Sequence, residues 1–152
     1  MPDHGQKVFF IKHKYFLRVS FLGLILLIGD RVFKGLALRE KIFWQKNYHL
    51  ALSFDFLSTQ DLFFYTLVGV LILFVIYCGV HSHRQKFFLA AAGWLWLFFG
   101  ALSNIFDRLK FGYVIDYLNF YFFYNNLADV LIWLGFLLVI IGTWYHNKKV
   151  NV

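Results

Sequence analysis

The sequence predicts an all-α membrane protein, with four transmembrane helices and a small extramembrane β element between spans 1 and 2. Three observations predict it. Apolar residues make up 61% of the 152 residues and aromatics 23%, far above an ordinary soluble domain. Four apolar runs, Leu17–Ala37, Leu62–Val80, Phe87–Phe106 and Leu127–Tyr145, match the length of about 20 residues that a helix needs to cross a bilayer. Between the first two runs, Leu50, Leu52, Phe54 and Phe56 alternate with Ala51, Ser53 and Asp55. That period of two argues for a strand, and a strand beside a membrane must find a partner. A chain of this length reads as one domain, residues 1–152.

The first run follows Lys7, Lys12, Lys14 and Arg18, superficially the layout of a signal peptide. No small-x-small cleavage site follows it. It leads instead into Asp30, Arg31 and Lys34, so it reads as an uncleaved first span. Asp30 and Lys34 are four apart and share a helix face, either as an ion pair that caps the span or as a brace for a polar site. The segment Leu38–Asp61 is extramembrane, and Tyr113–Phe123, rich in Val, Ile, Tyr and Phe, is the candidate strand partner.

The second span carries no charge and reads as scaffold. Its Cys78 reads as a small buried apolar residue; as the one cysteine in the chain it excludes a disulfide framework. His81-x-His83, followed by Arg84 and Lys86, reads as a solvated basic turn, since no further ligands lie nearby for a metal. The third span carries Ala90, Ala91, Ala92 and Gly93, small residues that let helices approach closely. Its end places Gly100, Asn104 and Arg108 on one face, with Asp107 expected to pair with Arg108. The fourth span opens with Asn126 and Asp129, neighbours at i,i+3. It closes on Trp144 and Tyr145 at the far interface, before Lys148 and Lys149.

Four spans put both termini on one side. Lys7, Lys12, Lys14, Arg18, Arg84, Lys86, Lys148 and Lys149 lie there; Arg31, Lys34, Arg39, Lys41, Lys46, Arg108 and Lys110 lie on the other. The cluster before the first span decides the orientation, and both termini are expected in the cytoplasm. The net charge of +7 suits anionic lipid and not nucleic acid, because no basic patch separates from the spans. In this topology Asp30/Lys34, Asn104/Arg108 and Asn126/Asp129 all reach the outer membrane face, together with the Asn47 segment and Asp116. Carboxylates so close to hydrocarbon cost roughly 2.5–3.5 kcal/mol each at a helix centre. They are therefore surface caps and anchors, or they do chemistry.

Two carboxylates can run hydrolysis if they share a proton, one as base toward water and the other as acid toward the carbonyl oxygen or the leaving nitrogen. Asp116 and Asp129 are the best candidates. Each is followed by apolar sequence, and the loop of 12 residues between them can fold back on itself. Spacing alone leaves this open beside the reading as caps.

The motifs go further. Asp30-x3-Lys34; Asn47-Tyr with Ala51-x-Ser53-Phe54; Gly100-Ala-Leu-x-Asn104-x2-Asp107-Arg108-x3-Gly112-x-Val114-x-Asp116; and Asn126-x-Ala128-Asp129 together resemble bacterial lipoprotein signal peptidase, or signal peptidase II, over most of the chain and all four spans. The resemblance implies a membrane aspartic peptidase with catalytic Asp116 and Asp129. It implies as substrate a prolipoprotein whose lipobox cysteine carries diacylglycerol, cut just before that cysteine. By the same resemblance Asn47, Asn104, Arg108 and Asn126 line the site, Asp30 and Lys34 support it, and no metal or organic cofactor is needed. It also implies a bacterial inner-membrane location, and the chain is expected to act as a monomer.

The chain departs from the family pattern at His49 and Ser103, where Gly is usual, at Asn119 where Asp is usual, and at Val130 where Ser is frequent. These departures bear on substrate breadth and rate more than on reaction type. The rival from another class is a catalytically inactive lipoprotein- or lipid-binding relative on the same scaffold; retention of both aspartates with Asn126 and Arg108 counts against it. Gly-x-Gly-Asp and Gly-x-Ser-Gly, the marks of other intramembrane proteases, are absent. The six histidines lie at ends and loops, which disfavours a haem or quinone protein.

Overall fold

The computed structural model describes residues 4–48, 62–121 and 123–150. Four helices, α1 (His4–Leu38), α2 (Leu62–Arg84), α3 (Phe88–Phe111) and α4 (Leu127–Val150), carry the fold. Each expected span falls within or almost wholly within one of them. By length and composition, Tyr65–Arg84, Phe88–Phe111 and Leu127–His146 can each cross a membrane. In α1 the apolar stretch ends at Asp30, Arg31 and Lys34, whose charges are folded into the bundle. The chain is a multi-pass membrane protein.

The helices pack around α3, which touches all three others. Its face toward α4 is stripped of side chains. A Cβ on Gly93 would meet the Gly135 carbonyl at 2.6 Å, one on Gly100 would strike the Ala128 carbonyl, and one on Gly142 of α4 would strike the Ala90 backbone. The small residues therefore do what their spacing predicts: two backbones approach closely where no aqueous hydrophobic effect drives helices together. On the other side, Gly23 of α1 makes room for Trp96, whose indole N–H donates to the Val19 carbonyl at 2.9 Å. The second span is peripheral, with Val70, Leu73 and Tyr77 all more than half exposed, as suits a scaffold helix facing lipid. Cys78, expected buried, is only half-buried in it.

Two antiparallel strand pairs stand at one end of the bundle. β1 (Gln45–Asn47) pairs with β2 (Val114–Asp116), with Asn47 opposite Val114. β3 (Leu118–Asn119) pairs with β4 (Tyr124–Asn125), with Leu118 opposite Asn125. The segment Tyr113–Phe123 does supply a strand, but its partner is Gln45–Asn47. The alternating run from Leu50 to Phe56, and His49 with it, lies outside the described residues. The β3–β4 hairpin folds the chain back between Asp116 and α4. Gly112 starts this excursion in the left-handed region at φ 79°, accepted by glycine without a Cβ penalty, and its N–H closes α3 on the Arg108 carbonyl.

Candidate active site

The polar residues singled out by the sequence converge where α1 and α3 end and α4 begins. Four N–H groups at the start of α4 need partners. Asn126 is the cap: its Oδ1 accepts from the Asp129 N–H at 3.0 Å, while the Asp129 carboxylate accepts from the Asn126 N–H at 3.3 Å. This is a reciprocal capping box with an amide and an acid. The Ala128 N–H donates to Asp30 at 3.2 Å, the Leu127 N–H to the Tyr117 hydroxyl at 3.2 Å, and the Val130 N–H to the Asn126 carbonyl. One aspartate is thus tied to the helix start that its own negative charge favours.

Asp116 ends β2 and is 1% exposed. Asn47 donates to one of its oxygens at 2.9 Å and Asn126 to the other at 2.6 Å. The Asn126 side chain therefore bonds Asp116 through its amide nitrogen and the Asp129 backbone through its oxygen. Burial, aided by the charge of Asp129, pushes the Asp116 carboxyl up to about 6 against the opposing hydrogen bonds from Asn47 and Asn126.

Asp129 takes a further hydrogen bond from Asn104 Nδ2 at 2.8 Å. The orientation of that amide is dictated from behind. Lys34 Nζ, which can only donate, binds Asn104 Oδ1 at 3.0 Å, which leaves the NH₂ facing the carboxylate. Lys34 is wholly buried and lies 3.0 Å from Asp30 and 2.8 Å from Asp107. Asp107 also binds Arg31 at 2.6 Å. The cluster of Asp30, Asp107, Arg31 and Lys34 balances two negative charges with two positive ones. The Asp30–Lys34 pair is thus more than a cap for its span. The expected pairing of Asp107 with Arg108 is corrected: the ion pairs of Asp107 are with Arg31 and Lys34, because α1 offers both cations to the buried face of α3, where Asp107 points.

Arg108 reaches back to the Asn104 carbonyl at 3.5 Å and lies within electrostatic range of Asp129, Asp116 and Asp107. Gly100, Asn104 and Arg108 do share a face, turned toward α4. Among the family departures, Ser103 uses its hydroxyl: it donates to Asp30 at 2.6 Å and accepts from Arg31 at 3.2 Å. Asn119 is exposed in the hairpin, where its Oδ1 accepts from the Tyr121 N–H at 2.8 Å, a role an aspartate oxygen would fill equally. Val130 is half-buried one residue beyond Asp129.

The parts that three residues play escaped the sequence reading: Arg31 and Ser103, which it noted without a role in the cluster, and Tyr117. Tyr117 donates its hydroxyl to Asp30 at 2.9 Å and accepts from Leu127, which joins the residue after Asp116 to the start of α4. Burial and the adjacent Asp30 push its hydroxyl far above the usual tyrosine range, so it stays a donor. Its neighbour relation to Asp116 was the one available signal. The His81 and His83 turn is exposed, and no group of three or more potential metal ligands occurs among the described residues.

The profile of the family described as Signal peptidase (SPase) II matches residues 22–145. A lipoprotein signal peptidase of Sinorhizobium fredii is 34% identical over 112 residues, covering 68% of this chain and 66% of that protein. One of Wigglesworthia glossinidia brevipalpis is 30% identical over 117 residues, 74% of this chain and 72% of that one. One of Acinetobacter baumannii is 30% identical over 115 residues, 70% and 65%. The matches span about two thirds of these relatives' length. Two solved structures of a bacterial membrane enzyme, obtained by the in meso method at 2.3 Å and 1.9 Å, share the fold at 22% identity. Their TM-scores are 0.69 and 0.63, covering 86% and 82% of this chain and 90% and 91% of theirs. With the profile spanning the site and all four helices, the chain belongs to the signal peptidase II family.

Proposed function

We propose that this chain is a membrane aspartic endopeptidase. It removes the signal peptide from diacylglyceryl-modified prolipoproteins by cutting just before the lipidated cysteine. The observation that carries the aspartic mechanism is the clamping of Asp116 and Asp129 by a single residue, Asn126, in a largely buried polar cluster at the end of an apolar bundle. Family membership supports the substrate.

In this reading the two carboxylates share one proton. One takes a proton from water as the water oxygen attacks the scissile carbonyl carbon. The other gives its proton toward the carbonyl oxygen, and the leaving nitrogen is protonated as the C–N bond breaks. A carboxyl pushed up to about 6 at Asp116 keeps both protonation states accessible near neutral pH. Asn104 and Asn126 fix the two acids, Asn47 completes the hold on Asp116, and Arg108 supplies positive charge beside both. Asp30 and Lys34 support from behind. The chain needs no metal or organic cofactor for these steps and acts as a monomer in the bacterial inner membrane. Both termini face the cytoplasm, and the site opens at the outer face, where a lipidated cysteine lies at the depth of the aspartates.

Incubation of the purified protein with a lipobox peptide, with and without diacylglycerol on its cysteine, tests this. The lipidated peptide is cut at the bond before the cysteine. The unlipidated one is cut far more slowly, because each buried acyl methylene contributes about 0.8 kcal/mol. Equal cleavage of both rejects the substrate class, and tight binding without cleavage identifies an inactive scaffold.

A further inference from the structure

At the end of the bundle opposite the aspartates, α1 and α4 part over the first turns of α3 and leave a cavity of about 350 Å³. Its walls are Phe16 and Val19 of α1, Leu89 and Ala92 of α3, and Gly142 of α4. Lys86, in the turn between α2 and α3, and His146 of α4 are the polar residues of its lining besides two tyrosines. The tyrosines, Tyr15 and Tyr145, are 60% and 57% exposed.

Among the described residues, the charge at this end has one sign. No Asp or Glu occurs in residues 4–29, 65–106 or 130–152, the stretches that build it. Among the described residues, every carboxylate belongs to the other end. Lys86 lines the cavity; the Arg18 guanidinium lies 6.0 Å from the centre of the ring of Tyr15, another lining residue, and Lys148, on the same stretch of α4 as the lining Tyr145 and His146, lies 5.5 Å from that of Trp144. The aromatic and basic residues together mark the level of the lipid headgroups.

The geometry points to a binding site for an anionic phospholipid, with an acyl chain in the apolar cavity and the phosphate against Lys86. A basic pocket between transmembrane helices at the headgroup level is the setting in which anionic lipids are held. An anionic headgroup complements the net positive charge of this rim, and an acidic soluble partner would leave the apolar cavity unfilled. The site is separate from the aspartates and stands whatever reaction they perform.

Photo-crosslinking tests it. The full chain is placed in phosphatidylcholine nanodiscs containing a trace of phosphatidylglycerol with a photoreactive acyl chain. Label is expected on the peptides carrying Phe16, Leu89 and Tyr145. Added phosphatidylglycerol competes; phosphatidylcholine and inorganic phosphate do not. Lys86 is exposed and sits at φ 63°, a conformation asparagine tolerates. Lys86→Asn is expected to lower labelling about fivefold, the effect of one basic residue near an anionic surface. Leu89→Trp, which fills the cavity, abolishes it. Cleavage in detergent is unchanged in the Lys86 variant. Equal competition by phosphatidylcholine, label spread over the lipid face of α2, or undiminished labelling of Lys86→Asn overturns the proposal, and competition by inorganic phosphate reduces it to an adventitious anion.

Discussion

Lys34 carries a full charge with no exposure to solvent, and its partners account for that. It answers Asp30 and Asp107 and turns the Asn104 amide toward Asp129. Lys34→Met keeps the volume but takes from Asp30 its ion-pair partner and leaves Asp107 with Arg31 as its ion-pair partner. Removing one partner of a buried pair typically costs about 3–5 kcal/mol, and a loss of that size is expected in denaturant unfolding in micelles. The amide of Asn104 also loses what orients it, so cleavage falls further than stability explains at temperatures where the variant is folded. A loss under about 1 kcal/mol, the value of an exposed pair, contradicts the buried-cluster reading. Much of this was legible: Asp30 and Lys34 are visible at helical spacing, and Asn104, Asn126 and both aspartates are prominent in apolar surroundings. Arg31, Ser103 and Tyr117 were not legible. Their contacts cross between elements 70 or more residues apart, or join a loop to a helix start, and no periodicity marks them.

Among the elements, the α3–α4 seam sets the position of the site. Gly100 lies against the carbonyl of Ala128 and the side chain of Ile132, one turn before Asn104 and beside the residue preceding Asp129. Gly100→Val drives the first turn of α4 away from α3. Overpacking of this kind typically costs about 1–3 kcal/mol, so the protein still inserts and stays helical by circular dichroism. Cleavage nevertheless falls by about 100-fold, the penalty for a displacement near 1 Å. Full activity in this variant would show that the seam does not position the acids. Hydropathy located every helix, yet it saw the hydrocarbon and not the helix ends, so all four helices run beyond the expected spans. The strand β1 is Gln-Lys-Asn, without apolar alternation, and only its pairing with Val114–Asp116 makes it a strand. The excursion from Asp116 to Asp129 was legible in outline because a turn back was needed, but the hairpin register was not.

On the scale of the whole molecule, the described carboxylates gather at one end and the basic termini and apolar cavity occupy the other. In the proposed function the first end carries the chemistry, and the second is the end proposed to hold anionic lipid. The central claim is that Asp116 and Asp129 act as one acid–base unit, and the most direct measurement is the cleavage rate of the lipidated peptide across pH for Asp116→Asn, Asp129→Asn and the double variant, with thermal stability followed alongside. The native Asp116 carboxyl, at about 6, lies above the unfolded value of about 3.9. The folded state therefore binds more protons than the unfolded one between those values, and the wild type loses stability from this group as pH rises through that window. Asp116→Asn lacks that slope, so its stability relative to the wild type improves from pH 4 to pH 7 while its activity is gone. Each single variant is expected to lose at least about 10²–10⁴-fold in rate. The double variant is hardly worse, because the pair works as a unit, and the wild-type profile is a bell whose two apparent pKa values belong to the pair. Near wild-type cleavage by either single variant, or losses that multiply in the double, would contradict the account.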